Sequence, residues 1–326
     1  MSWDHKHLLV TGGAGFMGSA FIRYVLGRGN FTGHITNLDL LTYAGNLENV
    51  ESVSRDERYS FCHGDIGDRI LLENIHQARP IGAIIHFAAE THVDRSIEAP
   101  TPFVTTNILG TYNLLEFVRA YPKIHFHHIS TDEVYGTLGK TGRFDEDSPY
   151  RPNSPYSASK ASSDHFVRAY HKTYGLKTTL SHASNNYGPG QYPEKLIPLM
   201  ITRALKKKAL PVYGAGENVR EWLYVEDHAQ AVWTILNEGK SGEVYNVGGE
   251  SEMSNLSLLH LLLEVIEEEK GEKGLKELIS FVPDRPGHDF RYALEGTKME
   301  ALGYKPRWGL REGLKATVNA QLKALT

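Results

Sequence analysis

Cysteine is almost missing from this chain. Cys62 is the single thiol among 326 residues, so an intramolecular disulfide and a multi-cysteine metal site are both excluded. That fits a reducing compartment, with the cytoplasm as the expected location. Long apolar runs are missing too, and none approaches the roughly 20 residues that would cross a bilayer. The polar stretch from Met1 to His7 leads directly into an apolar strand and leaves no room for a secretory leader. Charge of one sign is not in excess, since 35 basic side chains face 39 acidic ones for a formal net charge of -4. No broad basic field draws the chain to nucleic acid or membrane, and an anionic ligand must meet local donors. Repeats, low-complexity tracts and long linkers are also lacking, so the lobes are expected to pack closely.

What is present is an alternation of short apolar runs with amphipathic stretches. Leu8 to Thr11 reads as a buried strand, Gly12 to Gly18 as a glycine-rich turn, and about Ser19 to Leu26 as a helix. Further strands are expected to end at Asp39, to precede Asp65, and to cover Ala83 to Phe87 and His125 to Ser130. Strands alternating with helices predict an α/β fold with a Rossmann-like, doubly wound parallel sheet. The segment from Pro155 to Tyr174 reads as one long helix. Beyond Gly188 the alternation loosens and turn-rich pieces separate shorter elements. The division expected is a dinucleotide-binding and catalytic domain over 1–187 and a smaller, mainly ligand-binding α/β lobe over 188–326, with the chain free to cross between them. The charged run Glu267 to Lys276 reads as a solvated helix end and loop.

Gly12, Gly15 and Gly18 form a GxxGxxG spacing between a strand and a helix, where bare backbone can approach a pyrophosphate at the positive helix end. Asp39, about twenty residues on, is placed to accept hydrogen bonds from ribose hydroxyls and to repel an added phosphate, which favours NAD over NADP. Asp65 can meet an adenine amino group, although an aspartate at a strand end is also a common helix cap. Tyr156 and Lys160 stand one helical turn apart in YSASK and share a helix face. An ammonium and an oxidised nicotinamide near the phenol are expected to lower its pKa and make the phenolate a base at neutral pH.

The TGGAGFxG turn and the YxxxK helix resemble those of the extended short-chain dehydrogenase/reductase family. Within it, the segment ISTDEVYG, with Asp132 and Glu133 after Thr131, resembles the dTDP-glucose 4,6-dehydratases, as do LTYAGNLENV, THVDRSIEAP, SNNYGP, PEKLIPLM, REWLYVEDHA and DRPGHD. The resemblance implies a lyase that uses NAD to oxidise C4 of a nucleotide-activated glucose, eliminates water across C5 and C6, and returns the hydride to C6. Tyr156, with Lys160, would take the C4 hydroxyl proton, Thr131 would hydrogen-bond the C4 oxygen, Glu133 would be the base at C5, and Asp132 the acid at C6. NAD would be held by Gly12, Gly15, Phe16, Met17, Gly18, Asp39, Leu40, Thr42, Asp65, Ile66, Phe87, Ala88, Ala89, Thr106, Tyr156, Lys160 and Asn186. The nucleotide sugar would be held by Thr91, Thr131, Asn185, Lys195, Leu196, Pro211, Tyr213, Arg220, Asn255, Arg285 and His288, with Arg220 favoured for the pyrophosphate because a guanidinium pairs with it through two hydrogen bonds. No metal is implied, and a homodimer built on paired helices is. A nucleotide-sugar 4-epimerase, sharing the fold, the cofactor and the Tyr156 and Lys160 pair, is the alternative, and thymidine against uridine in the substrate stays open.

Overall fold

The computed structural model describes residues 6–284 and 288–325. The apolar runs become strands β1 (His7–Thr11), β2 (His34–Asp39), β3 (Tyr59–His63), β4 (Ala83–His86), β5 (His125–Thr131), β6 (Thr178–Ala183), β7 (Asn185–Tyr187), β8 (Leu210–Tyr213), β9 (Val219–Tyr224), β10 (Val244–Val247), β11 (Glu252–Ser254) and β12 (Ile279–Val282). Seven of them form one parallel sheet in the order β10-β6-β5-β4-β1-β2-β3. The chain moves outward from β1 to β3, then returns to place β4 on the other side of β1. That reversal opens a crevice at the carboxyl ends of β1 and β4, the place where open α/β sheets take ligands.

Alternation along β1 explains why both sheet faces are covered. Leu8 and Val10 point into one apolar cluster with Phe21, Ile22 and Val25 of the helix Phe16–Arg28. Leu9 points the other way, into a cluster with Leu38, Leu114, Phe117 and Phe126. Each such buried side chain contributes about 1.5 to 3 kcal/mol relative to exposure. The helix starts at Phe16, not at Ser19 as the glycine-rich sequence suggests. Helix propensity argues against Gly18 in a first turn, but packing requires it there, because a Cβ on Gly18 would sit 2.4 Å from the Gly12 carbonyl oxygen.

Beyond residue 187 the chain serves both lobes. The helix Val225–Glu238 lays Ala229, Val232 and Leu236 against the cluster around Phe21, and β10 adds an edge to the large sheet. The second lobe holds a three-stranded sheet, β11-β9-β7, and the pair β12-β8. Its core joins Met200 and Ile201 of the helix Leu196–Leu205 to Leu259, Leu262 and Leu263 of Asn255–Lys270 and to Leu314 and Val318 of Leu310–Leu325. The charged run at 267–276 is surface, as expected: Lys270 and Lys276 pair with Glu272 and Glu264 at 3.1 and 3.0 Å, around a left-handed Gly271 that ends the helix. Among the described residues no helix is long and apolar enough to cross a membrane.

Gly12 has φ of +70°, and a Cβ there would lie 2.6 to 2.9 Å from the backbone of Phe87 and Ala88. Strain and collision act together at this position. Gly12→Ala is expected to cost about 1 to 3 kcal/mol of folding stability, read from the urea midpoint, and to weaken dinucleotide binding by titration. A variant as stable and as tightly binding as the parent would separate the glycine from both roles.

Candidate active site

The crevice between β1 and β4 is lined at one end by Gly12, Gly15, Phe16, Met17, Gly18, Asp39, Leu40, Thr42, Asp65 and Ile66, and along its middle by Phe87, Ala88, Ala89 and Thr106. At the other end stand Thr131, Asp132, Glu133, Tyr156, Asn185, Asn186, Thr91 and Lys195. Residues spread from position 12 to position 195 thus share one cavity. Gly15 caps the helix Phe16–Arg28 with no side-chain acceptor, and no acidic residue occupies the first turn. The helix therefore presents bare N–H groups and a positive end to the crevice, a fit for a pyrophosphate. Asp39 accepts from Ala14 N at 2.9 Å and Leu41 N at 2.8 Å, one bond to each oxygen, which leaves a lone pair on each for ribose hydroxyls. Asp65 accepts from Gly67 N at 2.7 Å, so it closes its own turn as well as lining the crevice. Thr106 lies in a widened helical turn, Val104–Gly110, in which the buried Asn107 ties Glu90 to Ser159. These features fit a dinucleotide such as NAD.

The catalytic end grows from β5. Thr131 ends the strand in extended conformation and its hydroxyl accepts from Glu133 N at 3.3 Å, which turns the chain into the short helical segment Asp132–Tyr135 and sets the two carboxylates at the mouth of the cavity. Gly136 then lets the chain leave with φ of +83°, since a Cβ would lie 2.4 Å from the Arg151 carbonyl. Tyr156 is held by the start of the helix Pro155–Tyr174. Ser154 and Ser157 form a reciprocal cap, Pro155 fills the first position, and Tyr156 N donates to Ser96 Oγ at 3.1 Å. Lys160 does not line the cavity. It lies one layer back, donating to the Ile129 carbonyl at 2.7 Å with His128 Nε2 at 3.2 Å.

The two acidic neighbours are unlike. Asp132 is only 1 % exposed; burial, then the Glu133 and Glu221 carboxylates, push its carboxyl well above the usual range, with Arg220 opposing. Thr131 Oγ1 reaches Asp132 Oδ1 at 3.3 Å, while Oδ2 is buried without a hydrogen-bond partner among the described residues. A neutral carboxyl with a spare oxygen is a proton donor in waiting. Glu133, half-buried, keeps access to the cavity.

In the polypeptide by itself burial, then Glu133, push the Tyr156 phenol well above its ordinary value, and the Thr131 hydroxyl works in the other direction. The Lys160 ammonium touches a carbonyl and an imidazole rather than the phenol, and burial brings it down to about 8. An oxidised nicotinamide, when bound, would add a positive charge that lowers Tyr156.

Several residues escaped sequence reasoning. Ser184 Oγ, Asn186 Oδ1 and Gln191 Oε1 are buried atoms on this cavity that lack partners among the described residues, and of these only Asn186 stood out by motif. Beside the cavity, whose lining includes Glu194, the Arg95 guanidinium stacks 3.8 Å from the Tyr43 ring and pairs with Glu194 at 3.2 Å, while Tyr43 donates to Glu194 at 3.3 Å. This strap joins the loop after β2 to the loop before Leu196, and its partners are too far apart in the chain for any spacing rule.

The remaining ligand candidates sit on the second lobe. Leu196 begins a helix next to Lys195, whose ammonium donates to the Thr91 carbonyl at 3.0 Å. Pro211 and Tyr213 lie on β8, and the Tyr213 ring stands 6.3 Å from that of His288, which pairs with Asp284 at 2.6 Å. Arg220 is buried, donates to the carbonyls of Val219 and Asp289 at 2.8 and 3.0 Å, and stacks 4.5 Å from the Tyr292 ring. Asn255 has a buried Oδ1 without a partner among the described residues, and its N–H meets Asn218, which also holds the Asp289 carbonyl. Arg220, Asn255, Tyr213 and His288 are thereby gathered around residues 288–292, outside the lining of the cavity. Arg285 lies outside the described residues. No group of three or more metal-ligating side chains occurs among those described.

Burial of Asp132 has a stability signature. Above the ordinary carboxylate value near 4, the unfolded chain loses this proton while the fold retains it, so stability falls as pH rises. Asp132→Asn removes that dependence. Its melting temperature is expected to exceed the parent's by a margin that widens from about pH 4 upward; a margin that stays flat or reverses would mean an ionised Asp132.

The family model described as GDP-mannose 4,6 dehydratase matches residues 9–317. The dTDP-glucose 4,6-dehydratase of Shigella flexneri is 49% identical over 331 residues, covering 95% of this chain and 91% of its own. The structure of the dTDP-glucose 4,6-dehydratase DesIV from Streptomyces venezuelae, with NAD and TYD bound, superimposes with a TM-score of 0.92 at 45% identity over 97% of each chain. A UDP-glucose 4-epimerase from Thermus thermophilus, in complex with NAD, is more distant at 32% identity and a TM-score of 0.86, over 98% of this chain and 99% of that one. With its acidic pair, its tyrosine and its dinucleotide cleft in one cavity, the chain belongs to the dTDP-glucose 4,6-dehydratase family.

Proposed function

We propose that this chain converts dTDP-glucose to dTDP-4-keto-6-deoxyglucose and water, using NAD as a regenerated cofactor. The observation that carries the reading is the unlike pair at the end of β5, a buried and neutral Asp132 beside a cavity-facing Glu133. Bound NAD would supply the hydride acceptor for C4 and then the hydride donor for C6. Tyr156 receives the C4 hydroxyl proton, and the Thr131 hydroxyl holds the C4 oxygen. Glu133 removes the C5 proton, made acidic by the neighbouring ketone, Asp132 protonates the departing C6 hydroxyl so that it leaves as water, and Glu133 returns a proton to C5 as C6 is reduced. A 4-epimerase needs the tyrosine but has no use for a proton donor at C6.

The second-lobe residues Leu196, Pro211, Tyr213, Arg220, Asn255, Arg285 and His288 hold the nucleotide half of the substrate in this reading, with Thr91, Asn185 and Lys195 nearer the hexose. Residues 1–187 supply the cofactor and catalytic domain and 188–326 most of the substrate lobe. The working form is a homodimer in the cytoplasm. Support for the dimer is the apolar surface of two neighbouring helices, where Leu109, Tyr112 and Phe166 are 54, 42 and 38% exposed.

Three outcomes test this. With dTDP-glucose the product should be one water lighter and carry a 4-keto-6-deoxy sugar by NMR, whereas unchanged mass with inverted C4 would favour the epimerase. Glu133→Gln should stall after oxidation, with NADH absorbance accumulating and C5 deuterium exchange lost, and Tyr156→Phe should block the first hydride transfer; full turnover in either variant would remove that residue from the scheme. In sedimentation the parent should run at about twice 36.5 kDa and a Leu109→Glu, Phe166→Glu double variant at the monomer mass. A monomeric parent would end the dimer reading.

A further inference from the structure

Behind Tyr156 lies a charged group that the scheme above does not use. Asp164 sits one helical turn beyond Lys160 on Pro155–Tyr174, and its side chain is fully buried. Its Oδ2 accepts from Ser130 Oγ at 2.8 Å and lies 3.2 Å from His182 Nε2; its Oδ1 lies 3.3 Å from His128 Nε2. The same His128 nitrogen is 3.2 Å from Lys160 Nζ. One imidazole thus stands between a buried ammonium and a buried carboxylate. Beyond His182 are the hydroxyls of Tyr135 and Tyr150, at 2.7 and 2.8 Å, with Asn246 of β10, and His86 packs its ring 5.2 Å from that of His128.

We infer that Asp164 is a positioning residue for the reaction, which through His128 keeps the Lys160 ammonium charged and turned toward the Tyr156 side of its helix. The first part of the argument is charge. An ammonium removed from water needs a counter-charge, and the direct partners of Lys160 are a carbonyl and a ring nitrogen. Asp164 is the acid that pulls against burial at Lys160. Burial pushes the Asp164 carboxyl up, but hydrogen bonds from His128 and His182 hold it well below the usual range, so it stays an anion. His128, brought down to about 4 by burial and by Lys160, is a neutral bridge.

The second part is direction. The Asp164 carboxylate lies 3.3 Å from the ring nitrogen that stands 3.2 Å from Lys160 Nζ, so carboxylate and ring together fix where the ammonium sits while it donates to the Ile129 carbonyl. An amide in place of the carboxylate keeps the shape of that contact and removes its charge.

The role rests on the assignment of Tyr156 and Lys160 proposed above. It is tested with the full-length enzyme and dTDP-glucose, following kcat and KM from about pH 6 to 10 for the parent, Asp164→Asn and His128→Gln, with melting curves to correct for folded fraction. Without the counter-charge Lys160 deprotonates earlier, so the alkaline limb of kcat should move to lower pH by about one unit. At about pH 8 this lowers kcat by about fivefold, while KM stays within about twofold. His128→Gln keeps the carboxylate and cuts the bridge, so it should move the limb the same way, and it decides the matter if Asp164→Asn does not fold. An unmoved limb, or a loss that only tracks the folded fraction, overturns the inference. A parent inactive on dTDP-glucose overturns the reaction assignment and this role with it.

Discussion

Everything in the active site hangs on how closely the turn after β1 approaches the end of β4. Gly12 brings its backbone against Phe87 and Ala88 with no room for a side chain, and Gly18 brings the first helical turn against Gly12. Those two contacts hold the helix end at the reversal in strand order, where backbone N–H groups face the crevice. Thr11 pairs with His86 and His86 with His128 in register, so β5 runs on past the ends of β1 and β4 to Thr131. The acidic pair after Thr131 thus faces the same cavity as the glycine turn more than a hundred residues earlier.

Water exclusion does the rest, and it acts on each group in a different sense. It keeps the Asp132 carboxyl neutral and the Tyr156 phenol protonated, and it weakens the hold of Lys160 on its own proton. Left to the polypeptide, the tyrosine is a poor base. A positive charge brought close to it is what would lower its pKa.

Much of this was legible in the sequence. Strand ends fell within a residue or two of Asp39, Phe87 and Ser130 because short apolar runs bounded by turn residues have few other ways to be buried. The long helix from Pro155 to Tyr174 was readable as one unbroken segment, and its bounds match. The start of the helix at Phe16 was not, because Gly18 is a poor helix former kept for contact with Gly12. The cavity lining followed from motif resemblance at sixteen of the seventeen cofactor positions, Lys160 being the exception because its side chain bonds to β5. Arg220 looked like a free guanidinium by residue type alone, yet it is anchored to carbonyls of residues 288–292. The buried Asp164, His128 and His182 cluster left no trace in any local pattern, since it is assembled from one helix and two strands.

The strap formed by Tyr43, Arg95 and Glu194 bears on time rather than on chemistry. It ties the loop after β2 to the loop before Leu196, joining a stacked cation to an ion pair. The two loops part only when one guanidinium gives up both partners together, so they separate less often than either contact alone would allow.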